Sequence, residues 1–90
     1  MASVSQRLQR RIERDFPAPG SAPSVIGMVA AISDSERIQA GVVLCARGDL
    51  HRLRDACALA ELDWRDVLMG AGLAHEDWPS RLDAELGPTR

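Results

Sequence analysis

Ser33-Asp34-Ser35-Glu36, followed by the apolar block Gly41-Val42-Val43-Leu44-Cys45-Ala46, decides the fold. The tetrad has the S-x-x-E spacing of a capping box, in which the serine hydroxyl accepts from a first-turn N–H and the glutamate reaches back to the cap. A helix is therefore expected to start there and run through Ile38, Val42 and Cys45 to about Arg47. Gly48 follows at the position where a left-handed terminal residue belongs. Since the block is apolar on every side, this helix should be the buried centre of the domain. The β-branched pair Val42-Val43 leaves a short buried strand as the rival reading.

Downstream, Asp49 is placed to cap a second helix with Leu50, Leu53, Cys57 and Ala60 facing inward and His51, Arg52, Arg54 and Asp55 facing water. Asp63 opens another, where its side chain can accept from the N–H of Arg65 or Asp66 and Leu62 can staple to Val67. That helix should end near Ala71-Gly72. Asp77-Trp78-Pro79 starts the last one, with proline in the first turn where its missing donor costs nothing, and Gly87-Pro88 stops it. Asp63-Trp64 and Asp77-Trp78 stand at the same spacing from Leu68 and Leu82. Both pairs read as an aspartate cap with an indole covering the edge of the core.

Upstream, residues 24–33 carry Val25, Ile26, Met28, Val29 and Ile32, and the run from Pro17 to Pro23 reads as a semi-rigid linker. Before it, Val4, Leu8, Ile12 and Phe16 recur every fourth residue behind Ser3, an expected N-cap. Arg7, Arg10, Arg11 and Arg14 line a second face at i, i+3, i+4 and i+7. The expected organisation is a basic amphipathic helical arm over 1–16, a Pro/Gly linker over 17–23, a helical domain over 24–87 and a tail over 88–90. The fold class is all-α, a compact bundle of four to five short helices with that arm in front.

Composition bounds the function. Ninety residues with 46% hydrophobic and 27% charged side chains fit one ordinary domain of modest stability. Aromatic residues are 3% of the chain, namely Phe16, Trp64 and Trp78, so the core must be aliphatic, which suits helices. A net charge of −2 provides no general attraction for a polyanion. All eleven basic residues are arginine and Lys, Asn and Tyr are absent, as in a GC-rich bacterial coding sequence. The amino terminus lacks the apolar core of a signal peptide, and no run approaches the ~18 apolar residues of a spanning helix. A cytoplasmic location without membrane insertion is the expectation, with Cys45 and Cys57 as reduced, buried thiols too far apart to bond.

Catalytic and metal chemistry find little footing. His51 stands one turn from Asp55 and His75 beside Glu76 and Asp77, which are ordinary neighbours on an exposed helix. There is no glycine-rich phosphate loop, no nucleophile elbow and no paired C-x-x-C or H-x-x-x-H spacing. No catalytic residue, cofactor, metal ligand or small-molecule substrate is expected, and the chain is read as a non-enzyme. The segment 54–72, opening on Arg54 and closing on Gly72, has the order of a helix-turn-helix, so a nucleic-acid-binding regulator with an arginine-rich arm is the alternative. Against it, Asp63 and Asp66 would face the phosphates. The acidic last helix, with Glu76, Asp77, Asp83 and Glu85 against Arg81, complements the arginine arm within one chain or between two copies.

The order Glu36-Arg37-Ile38-Gln39-Ala40, Gly48-Asp49-Leu50-x-x-Leu53, Asp63-Trp64-Arg65-Asp66-Val67-Leu68 and Ala71-Gly72-Leu73 resembles that of a group of short uncharacterised bacterial proteins. The resemblance covers about half the chain, residues 36–73, and implies no activity. The leading expectation is thus a non-enzymatic protein-interaction or assembly module, with a protein partner or self-association as a homodimer. Its candidate interaction surface is Arg7, Arg10, Arg11 and Arg14.

Overall fold

The computed structural model describes residues 3–88. They form five helices: α1 (Gln6–Asp15), α2 (Ser21–Ile32), α3 (Glu36–Ala46), α4 (Leu50–Ala71) and α5 (Trp78–Leu86). The rival strand is overturned, since Val42 and Val43 lie in α3 and no strand occurs among the described residues. Of the tail at 88–90 only Pro88 is described, and the first two residues of the arm also lie outside the described part.

Helix α3 is the axis of the core, with Ala40, Gly41, Val42, Val43 and Ala46 buried. It lies closely along α4. A Cβ added at Gly41 would stand 3.2 Å from Val67 Cγ1 and 3.4 Å from Leu68 Cδ2, so the missing side chain is what lets the two helices approach. Around this pair Val25 and Val29 of α2, Leu53, Val67 and Leu68 of α4, and Leu73 and Leu82 complete the interior.

Helix α1 belongs to that interior. Val4, Leu8, Ile12 and Phe16 are all buried, and they pack in the same core cluster as α2 and α3. The Cα radius of gyration is 11.7 Å, near the ~12 Å of a fully compact chain of this length, so none of the described segments reaches away. The expected linker is shorter than its seven residues, because α2 begins at Ser21. Pro23 occupies the first turn of α2, where the backbone N–H groups have no intrahelical partner and a missing donor is harmless.

Three of the expected caps are reassigned. Ser5, not Ser3, caps α1, its hydroxyl accepting from Leu8 N at 3.3 Å. Ser35, not Ser33, caps α3 by accepting from Ile38 N, while Ser33 Oγ accepts from Ser35 N at 3.0 Å. Asp77 precedes α5 without a capping bond, its carboxylate turning to Arg81 at 3.2 Å instead. The expected cap at Asp49 is present and accepts from Arg52 N at 3.1 Å.

Helix α4 contains the break expected at Asp63. Its φ/ψ of −154/94 is extended, and its carboxylate accepts from Arg65 N at 3.1 Å as an N-cap would. The staple from Leu62 to Val67 does not form, since Leu62 is 86% exposed. Gly72 closes the second half in the left-handed region at φ 77, with Leu73 N donating to Leu68 O at 2.8 Å in the manner of a Schellman motif. This turn sends the chain back towards α3 and so sets one wall of the site described next.

Candidate interaction surface

The arginine stripe of α1 divides into an inward and an outward pair. Arg7 and Arg11 immediately precede the core residues Leu8 and Ile12, so their side chains leave the helix at the edge of the docked face. Arg7 is 8% exposed. Its Nε and Nη2 donate to the two carboxylate oxygens of Glu36 at 2.8 and 2.6 Å, and its Nη1 donates to Asp83 at 2.6 Å and to the Gly87 carbonyl at 2.8 Å. The bidentate bond to Glu36 is the chief reason its charge is held more firmly than an ordinary guanidinium, against the opposing effect of burial. The same bond holds the Glu36 carboxyl below the usual glutamate range, with a hydroxyl bond from Ser5 adding to it.

Arg11 follows the same plan. Burial works against its charge, but bonds to Asp15 at 3.0 Å and to Glu85 at 3.2 Å outweigh that and leave it held above its ordinary value. The complementarity between the basic arm and the acidic α5 is therefore satisfied inside one chain. Arg10 and Arg14 stay exposed. As a free surface of four cations, the stripe expected from the sequence does not exist: two members are structural and two face solvent.

The remaining chemistry-bearing side chains do not converge. His51 meets Asp55 at 3.8 Å on an open surface, and His75 is exposed. Cys45 and Cys57 are free and partly buried. Burial pushes both thiols up, so neither is poised as a nucleophile at neutral pH. Among the described residues no three His, Cys, Asp or Glu side chains gather as metal ligands would, and no helix is long and apolar enough to cross a membrane.

A concave, largely apolar site does exist, on α4 and the residues that follow it. An open cleft of about 320 Å³ is lined by Arg37, Trp64, Arg65, Leu68, Met69 and Ala74. The break at Asp63 makes it: restarting the helix there presents Trp64 with Leu68, and Arg65 with Met69, as i, i+4 pairs along one wall. The Gly72 turn brings Ala74 into the lining, and Arg37 reaches it from α3. Arg37 Nε and Nη2 donate to the Leu73 carbonyl at 2.9 and 2.6 Å, and its guanidinium lies 4.6 Å from the centre of the Trp78 ring.

The two tryptophans, read alike from the sequence, have separate fates. Trp78 packs at the core's edge under Arg37, as expected for both. Trp64 is 46% exposed on the cleft wall and Met69 is 69% exposed. The signal that could have found the cleft is the polar–apolar order around Asp63: a cap inside a long helix forces a change of face, so apolar residues after it need not continue the stripe before it.

The segment 54–72 is the one whose order of elements suggests a helix-turn-helix. Asp63 is the one residue with non-helical backbone within it before Gly72, where that motif needs a turn of about three or four residues. No protein-family model, curated protein or solved structure matches the chain.

Proposed function

We propose that this chain is a non-enzymatic protein-interaction module, acting in the cytoplasm, whose docking surface is the cleft between α3 and the second half of α4. The observation that carries the reading is the exposure of Trp64 and Met69 on a concave wall that is largely apolar apart from Arg37 and Arg65. Isolated apolar residues on a surface are ordinary, but large ones gathered around a cleft are the usual mark of a binding site. Trp and Met are also the side chains that give most contact area with most adaptability at protein interfaces. This moves the expected interaction surface from Arg7, Arg10, Arg11 and Arg14 to the far end of α4. A nucleic-acid regulator is supported less, because two of the four arm arginines are already neutralised by carboxylates.

A photo-crosslinking amino acid placed at Met69, with a second chain carrying it at exposed Arg10 as the control, tests the reading in cells. A discrete protein adduct from position 69 that disappears when Trp64 is changed to Ser supports it. Adducts equal at both positions, or none at position 69, overturn it.

A further inference from the structure

The lining of the cleft carries charge of one sign, with Asp63 beside it. Arg37 and Arg65 are its charged lining residues, and no carboxylate is among them. Arg37 is half-buried, held by the Leu73 carbonyl and the Trp78 ring, and takes part in no ion pair among the described residues. In this it differs from Arg7 and Arg11, whose charges are matched by carboxylates of their own chain. A guanidinium fixed beside an apolar wall without a counter-charge attracts an anion more strongly than a freely hydrated one, because less water screens it. Arg65 adds a second cation: it is well exposed, lies 5.7 Å from the centre of the Trp64 ring and is only loosely paired, its Nε standing 3.8 Å from Asp63, too far for a hydrogen bond.

Resting on the docking reading of this cleft, we infer that its partner is an acidic protein segment: one bulky apolar side chain seats against Trp64, Leu68 and Met69 while a neighbouring Asp or Glu engages Arg37 and Arg65. The volume accommodates a side chain or two and stands at the lower end of the ~300–1,000 Å³ typical of ligand pockets. Specificity follows from the charges. A carboxylate gains two cations, whereas a basic segment of equal hydrophobicity meets like charge at Arg37 and Arg65.

Selection of a displayed random-peptide library on the intact chain, followed by titration of the strongest synthesised peptide, tests the inference. The expected result is enrichment of Asp or Glu within a few residues of Leu, Phe or Met. Binding should weaken about tenfold in Arg65→Glu and fall as salt rises. Arg37→Gln should weaken it as well, with unchanged helicity confirming the fold; exposed Arg65 gives the same information where that variant loses stability. Peptides that bind, are lost in Met69→Asp, and ignore both arginine changes overturn the acidic partner while leaving the docking site intact. Peptides indifferent to Met69→Asp overturn the docking site itself. N-acetyl-leucine binding as tightly as the peptide overturns the protein partner in favour of a small carboxylate.

Discussion

Arg7 and Glu36, 29 residues apart in the chain, meet fork to fork, with Nε to Oε2 at 2.8 Å and Nη2 to Oε1 at 2.6 Å. Glu36 stands in the first turn of α3, where the helix dipole favours negative charge, so the carboxylate is stabilised from two sides. The same guanidinium reaches Asp83 on α5, and a single side chain thereby joins the first, third and fifth helices.

Truncating Arg7 to Ala leaves Glu36 half-buried without its partner and also empties the contact with Gly87. Loss of a partner from a fully buried pair costs about 3–5 kcal/mol. Glu36 retains some access to water, so about 2–3 kcal/mol is expected, seen as a fall of roughly 10–20 °C in the melting temperature of so small a domain. Arg10→Ala, on the solvent side of the same helix, should stay within about 0.5 kcal/mol. Thermal denaturation followed by circular dichroism compares the two directly; equal melting points would show that the network contributes nothing.

The lowered pKa of Glu36 makes stability depend on pH in a definite direction. Its carboxyl binds a proton less readily folded than unfolded, so stability is fully present above the unfolded value of about 4.3 and is lost as pH falls through the lower folded value. Urea midpoints should therefore be level from pH 7 to about 5 and drop below that. In Glu36→Gln the acid limb should be shallower, with a lower plateau at neutral pH. An unchanged acid limb would remove Glu36 as its source.

What the sequence revealed and what it hid follow from the range of each interaction. Helix order, the all-apolar α3 and the interruption at Asp63 depend on neighbours within a turn, and those are legible in the run from Gly41 to Ala46, Gly48 and Asp63-Trp64, whereas the β-branched pair Val42-Val43 points instead to a strand. Glu36 looked like the second half of a capping box because Ser33 stands three residues before it. Its actual partner, Arg7, lies in another helix, and no local pattern distinguishes a carboxylate that folds back from one that reaches across. The arginine stripe was visible too, but its division into Arg7/Arg11 and Arg10/Arg14 depends on which side of the apolar stripe meets α5. The cleft was least legible, since Trp64 and Met69 have core-like chemistry and only the three-dimensional course of α4 leaves them uncovered.

Two glycines in helices should respond oppositely to a side chain. At Gly41 a Cβ stands 3.2 Å from Val67, and a valine there has nowhere to place its methyl groups, so Gly41→Val should destabilise by about 1–3 kcal/mol through overpacking between α3 and α4. Gly27 lies on the exposed face of α2 with nothing within 4 Å of its added Cβ. Gly27→Ala should stabilise by about 0.5–1 kcal/mol, because alanine loses less backbone freedom on folding into a helix. Chemical denaturation of both variants checks the pair. A stabilising Gly41→Val would mean that α3 and α4 stand further apart than their contact requires.

Thiol reactivity gives an independent reading of the packing around α3 and α4. Cys45 is partly buried with its Sγ 3.5 Å from the Val67 carbonyl, and burial raises its pKa against a smaller opposing effect of Arg47. Cys57 is raised by burial and then by Glu61. Since the thiolate is the reacting species, a raised pKa and partial cover both slow attack. At pH 7.5 a disulfide reagent such as Ellman's should label both thiols in a slow phase, about tenfold or more slower than in urea-unfolded chain. Raising the pH towards 9 should speed the native reaction. The labelling rate should also rise in Arg7→Ala, because opening the α1–α3 contact loosens the helix that carries Cys45. Immediate labelling of both thiols in the native chain at pH 7.5 would show that α3 is not the closed centre of this fold.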